Sequence, residues 1–200
     1  VRGAEEMERA TGEQVAIFTP EARAAALRKL AVESGLRHAA ERGELSLSYQ
    51  LQADLTTGEI AGAQVIMNWT SQALGSVPGH EFVPIAMQTG LIVMLGDWKR
   101  EAVCQQLRAW EQVGVRVPRL SMRISQLELQ QPDMVDKLRQ SLLANGLQAQ
   151  ALGIEISEQA LFNASPELVK TLNQLRGLGL EISLGDFGAG ATNLGLLRTL

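Results

Sequence analysis

Apolar and polar residues alternate most cleanly over residues 45–52. Leu45, Leu47, Tyr49 and Leu51 fall on one side, and Ser46, Ser48, Gln50 and Gln52 on the other. That period of two predicts a strand. "GAQVIMNW", residues 62–69, predicts a second one, with Ala63, Val65, Met67 and Trp69 on one face and Gln64, Ile66 and Asn68 on the other. The intervening "TTGE" suits a turn, so the two strands are expected to form a hairpin. The second strand carries two side-chain amides on its polar face, and neither can be ionised.

Helical periodicity brackets this pair. "TPEARAAALRKLAVESGLRHAAERG" predicts a long helix with Thr19 as N-cap, Pro20 at its first position and Gly43 at its end. Its composition suggests a connector packing lightly on the strands after it, and residues 1–18 carry no strong pattern. The loop "TSQALGSVPGHEF" leads into a short helical piece near residues 83–90. A helix capped by Asp97 and closed by Gly114 comes next, with Trp98, Val103, Leu107 and Trp110 as its buried stripe. The chain then repeats strand and helix. "RLSMRIS" precedes a helix from Pro132 to Asn145-Gly146, and "LGIEIS" precedes one capped by Ser165 with Pro166 first. "LEISLGDFGAG" is a last strand with a glycine-rich exit, and "TNLGLLRTL" opens another helix.

Strand–helix repeats near thirty residues apart predict a parallel α/β sheet. An open sheet covered on both faces should show nearly continuous apolar strands. These strands instead carry one polar face: Ser121, Arg123 and Ser125; Glu155 and Ser157; Ser183 and Gly185. Such a face suits a (β/α) barrel with a polar mouth. Five strands are too few for eight-stranded closure, so the barrel is expected to be incomplete in this chain or the sheet open.

Composition narrows the chemistry. With 200 residues and 46% apolar content the chain fits one globular domain with an appended segment. A net charge of -4 gives no general pull towards DNA, RNA or anionic membrane. No apolar run is long enough for a transmembrane helix, and the first residues are too polar for a signal peptide. A reducing, cytoplasmic location is the expectation. One cysteine and two histidines make a Cys/His zinc site improbable; Cys104 reads as a small buried apolar residue. His38 and His80 carry no catalytic pattern.

The succession "SYQLQADLTTGEIAGAQVIMNW", "FVPIAMQTGLI", "LSMRIS", "LGIEISEQAL" and "LGDFGAGATNLGLLR" resembles the EAL-domain family. The likeness runs from about residue 35 to the end. It implies a modified TIM-type barrel whose first strand is antiparallel. It also implies descent from metal-dependent phosphodiesterases that open the cyclic dinucleotide c-di-GMP. Such domains are longer than residues 35–200, so the last barrel strands are expected beyond Leu200 or missing. Residues 1–34 resemble a linker from an upstream GGDEF-like domain.

Against that resemblance the chain departs where the chemistry takes place. Gln64-Val65-Ile66 stands for the family's Glu-Ala-Leu, and Asn68 for the arginine that comes after it. Arg123 replaces a metal-binding asparagine, Gly185 an aspartate, and Met87 a glutamate; Glu155, Asp186, Phe187 and Gly188 are kept, with Glu158 shortly after Glu155. Two-metal hydrolysis needs anionic oxygens and an activated water. Of the four ligands the family uses for its first metal, only Glu155 survives. A guanidinium ~4 Å from a cation costs about 4 kcal/mol at an effective dielectric of ~20. That is about three decades of affinity. Arg123 can pair with Glu155 and stand in for the lost metals, or form an internal ion pair and nothing more.

The resemblance therefore implies a non-catalytic receptor for c-di-GMP that needs no metal and signals through a protein partner. Among such receptors the chain resembles the FimX-like proteins, which engage a PilZ-domain adaptor in type IV pilus control. The contacts expected on that basis are Gln50, Gln64, Ile66, Asn68, Phe82, Pro84, Arg123, Glu155, Asp186, Phe187 and Gly188. Phe82, Pro84 and Phe187 equally suit core or scaffold roles. The glycines of "DFGAGATNLG" suit either a phosphate cradle or a tight turn. A ligand-free interaction module and a residual phosphodiesterase are the alternatives.

Overall fold

Residues 45–71 fold as the expected hairpin. In the computed structural model, which describes residues 19–162 and 165–185, β1 (Leu45–Ala53) and β2 (Ile60–Ser71) pair antiparallel. Asp54 shapes the turn, one carboxylate oxygen accepting from the backbone N–H groups of Thr56 at 2.7 Å and Thr57 at 2.9 Å. β2 then pairs in parallel with β4 (Leu120–Arg123), β4 with β5 (Leu152–Ser157), and β5 with β6 (Glu181–Gly185). A short strand within the expected loop, β3 (Gly75–Val77), folds back on the end of β2. The order β1-β2-β4-β5-β6, antiparallel at its start and parallel thereafter, is that of an incomplete modified TIM-type barrel. The fold class read from the sequence is the one observed.

Helices join these strands. In chain order they are α1 (Pro20–Leu36), α2 (Gly79–Thr89), α3 (Leu91–Gln112), α4 (Gln126–Leu129), α5 (Met134–Asn145), α6 (Glu158–Phe162) and α7 (Pro166–Gly177). Local capping decides several ends as expected. Thr19 accepts from Ala22 N–H, Ser165 accepts from Leu168 N–H, and Gly146 closes α5 in the left-handed region.

Several boundaries differ from the sequence reading, among them the start of α5, which is Met134 rather than Pro132. α1 stops at Leu36, and residues 37–43 continue as turns to Gly43. α2 begins at Gly79 rather than near residue 83. α3 begins at Leu91, six residues before the expected cap, because "LIVMLG" is apolar all round and gives no visible stripe. Gly90, at φ 75°, breaks the chain between the two helices. Asp97 thus lies inside α3, accepting from Arg100 at 2.7 Å and Lys137 at 2.9 Å. Burial pushes its carboxyl up, but those two cations outweigh burial and hold it below the usual range.

The two faces of the sheet separate as their patterning requires. Ala63, Val65, Leu120, Met122, Leu152, Ile154 and Ile156 are buried with Val103, Leu107, Leu138 and Leu172 in one core. Each Val, Leu, Ile or Met side chain among them, once out of water, stabilises by about 1.5–3 kcal/mol. Cys104 is fully buried there, and burial pushes its thiol up to about 11. Trp98 and Trp110, expected within the stripe, are only half-buried.

A second core gathers Val32, Leu36, Trp69, Phe82 and Leu95. Trp69 meets Phe82 edge-on with ring centroids 5.9 Å apart. Its indole N–H donates to buried Glu44 at 2.9 Å. The end of α1 belongs to this core, while Leu27 and Leu30 earlier in the helix are exposed. Ion pairing of Arg28 with Glu81 ties α1 to α2. α1 is thus seated at its C-terminal end and only lightly packed before it.

Candidate functional site

The polar face of the sheet is assembled by register. Gln64, Ser121, Gly153 and Glu181 share one row, and Arg123, Glu155 and Ser183 the next. Ser157 and Gly185 lie one row further on. Parallel pairing therefore puts the polar residues of four separate strands on one surface. No single segment holds this site.

Glu155 is its hub. The carboxylate is 6% exposed, and both of its oxygens are engaged. Oε1 accepts from Arg123 Nε at 2.9 Å and Nη2 at 2.6 Å. Oε2 accepts from the Gln64 amide at 2.7 Å. Arg123 reaches Glu155 from the adjacent strand with 48% of its side chain still exposed. A buried carboxylate needs such partners, since an unpaired one is costly to desolvate.

Beside this hub lies an open cleft of about 730 Å³, walled by the middle of β2, one side of α2, part of α3 and the segment after β4. That volume is in the range of small-molecule sites. Gln64, Ile66, Pro84 and Arg123 line it. Ile66 is 41% exposed, an apolar surface turned outward from an otherwise polar row.

Two expected contacts, Phe82 and Asn68, are placed elsewhere, and a third, Gln50, lies beside the cleft. Phe82 has no exposed surface and packs on Trp69, so it supports the cleft as core and cannot touch a ligand. Asn68 donates to Ser48 Oγ at 2.9 Å across the hairpin, away from the cleft wall. Gln50 pairs in register with Gln64 and is exposed on β1, outside the cleft lining. Asp186, Phe187 and Gly188 lie outside the described residues, as do the "TNLGLLRTL" helix and residues 1–18.

The cleft has a second charged element that sequence reading passed over. Lys99, on α3 and 8% exposed, donates to the backbone carbonyl of Arg123 at 2.5 Å and pairs with buried Glu128 at 3.4 Å. Glu128 also accepts from Ser125 N–H at 2.7 Å, completing the capping box that opens α4. Lys99, Arg123, Ser125 and Glu128 all line the cleft. A signal was present, because Lys99 falls at helical spacing among Ile92, Leu95, Val103 and Leu107. A lysine inside an apolar stripe must find a buried partner.

These residues do not fit a divalent cation at Glu155. The two carboxylate oxygens that would ligate it already accept from Arg123 and Gln64. The guanidinium also places a permanent positive charge against them. At Gly185 there is no room for a ligating side chain in this arrangement. A Cβ there would lie 2.7 Å from Arg123 Nη2 and closer still to Glu155 Oε1. Among the described residues, no group of three or more His, Cys, Asp or Glu side chains is placed to hold a metal. No described helix is long and apolar enough to cross a membrane.

Comparison with known proteins gives the family. The EAL domain family model matches residues 33–200. The bifunctional diguanylate cyclase/cyclic di-GMP phosphodiesterase MucR of Pseudomonas aeruginosa is 32% identical over 165 residues, 82% of this chain and 24% of that protein. A solved structure of the PaMucR phosphodiesterase in complex with c-di-GMP superposes with TM-score 0.79 at 30% identity, covering 85% of this chain and 69% of that one. The Xanthomonas citri FimX EAL domain, solved with c-di-GMP, shares the fold at TM-score 0.75 and 21% identity over 88% of this chain and 67% of its own. This chain spans between 20% and 24% of the length of the first curated relatives it matches.

Proposed function

The chain belongs to the EAL-domain family, and we propose that this region is a degenerate, non-catalytic member that binds c-di-GMP intact. The observation that carries this is the engagement of Glu155. Its two oxygens accept three hydrogen bonds from Arg123 and Gln64. Phosphodiester hydrolysis in this family needs that carboxylate free to hold a metal, and here a fixed guanidinium holds it instead.

Binding has support of its own. The cleft is of suitable size, and it combines an outward apolar side chain, Ile66, with amide and guanidinium donors. Ile66 and Pro84 offer flat apolar contact to a guanine. Gln64 and Arg123 offer hydrogen-bond donors to ribose and phosphate, with Glu155 fixing both. Gln50 would extend the same polar row from β1. PaMucR, 30% identical over most of this chain, is described in complex with c-di-GMP. The ligand-bound state would signal through a protein partner, in the manner of FimX-type receptors, with a PilZ-domain adaptor as the expected kind.

Calorimetry with c-di-GMP tests the proposal, together with a turnover assay in magnesium and in manganese. Saturable binding with no linear product is the expected outcome. Absence of heat at high micromolar ligand would leave a ligand-free interaction module. Product formation with either metal would show a phosphodiesterase.

A further inference from the structure

We infer that Arg123 and Gly185 act as one unit, the glycine leaving the space in which the guanidinium lies, so that an anionic ligand meets a fixed cation and needs no divalent ion. The structure couples the two positions directly. Arg123 Nη2 donates to Glu155 Oε1, and a Cβ at Gly185 would press on both partners, lying 2.7 Å from that nitrogen. Contacts of that length between a Cβ and other heavy atoms are essentially never observed, so any side chain at 185 would displace the pair. Gly185 itself is buried in β6, one row beyond Glu155, so relief of the clash requires the guanidinium to swing out towards solvent and give up its hydrogen bonds to the buried carboxylate.

Charge arithmetic points the same way. Among the described residues, the charged groups lining or fixing the cleft are Lys99 and Arg123 against Glu128 and Glu155, two positive and two negative. Lys99 is turned to the Arg123 carbonyl and to Glu128, and only 10% of its side chain is exposed. Of the two described cations at the wall, Arg123 is the more exposed, at 48% of its side chain. Without it the described cleft would carry an excess carboxylate, which repels a phosphodiester. Arg123 is therefore the specificity-determining group for an anionic ligand. Its neighbour Gly185 is the residue that permits it.

The ligand arm of this inference rests on the receptor reading; the coupling arm does not. Titration of wild-type protein with c-di-GMP in chelator and in millimolar calcium should give affinities agreeing within about twofold, whereas Arg123→Asn should weaken binding about tenfold or more. Tighter wild-type binding in calcium by about tenfold would overturn the inference. Melting of ligand-free Gly185→Ala, Arg123→Asn and the double variant reads the coupling separately. Gly185→Ala should lower Tm by about 5 °C, and by much less when Arg123 is already asparagine. Additive effects of the two changes would overturn the unit. Should Gly185→Ala fail to fold alone, a folded double variant supports the unit and an unfolded one overturns it. If no condition gives binding heat, the receptor reading is lost while the melting cycle still decides the coupling.

Discussion

Arg123 and Glu155 form an ion pair of unequal exposure: 48% of the arginine side chain is open and 8% of the glutamate. The guanidinium can turn to water if Glu155 is lost. The carboxylate cannot. Removing the two members should therefore have different consequences.

Arg123→Met leaves Glu155 buried with the Gln64 amide as its remaining described donor. It should destabilise by about 2–3 kcal/mol. Glu155→Met leaves a guanidinium that already reaches solvent and should cost about 1 kcal/mol. The double variant should lie near the milder single one. Urea unfolding of the three proteins checks the ranking, and equal costs for the two single changes would contradict it.

Glu44 gives the fold an acid-sensitive point. Its side chain accepts from the Trp69 indole N–H at 2.9 Å and from Gln72 N–H at 3.1 Å, joining the start of β1 to the end of β2. The Trp69 hydrogen bond, then that from Gln72, holds its carboxyl below the usual range. A lowered folded pKa means this stabilisation is present above the ordinary carboxylate pKa and is lost as pH falls through the folded value. Stability should therefore decline below about pH 4. Glu44→Gln should flatten part of that decline and destabilise by about 1–2 kcal/mol at neutral pH. Chemical unfolding across the acid range measures both effects.

Cys104 should be inert in the native state. Burial pushes its thiol up to about 11, and the side chain is fully enclosed by the main core. Thiolate is the reactive form, so alkylation at neutral pH should proceed only through unfolding. Labelling in increasing urea should track the unfolding curve. Rapid labelling of folded protein would place Cys104 outside the core.

Hydrophobic periodicity and capping chemistry, read from the sequence alone, decided the class of fold. Alternation in "LSLSYQLQ" and "GAQVIMNW" was enough to require two strands, and Ser165-Pro166 was enough to start α7, because those signals are local. The polar face of each parallel strand was legible for the same reason, and with it Gln64, Arg123 and Glu155 as a candidate group. The start of α3 was not legible, because an all-apolar segment shows no stripe. Nor were the true neighbours of polar side chains separated along the chain. Asn68 turned to Ser48 across the hairpin, and Phe82 sank beneath Trp69. Lys99 crossed from α3 to the Arg123 carbonyl. Register and helix docking settle such contacts, bringing together residues tens of positions apart, and no local pattern encodes that distance.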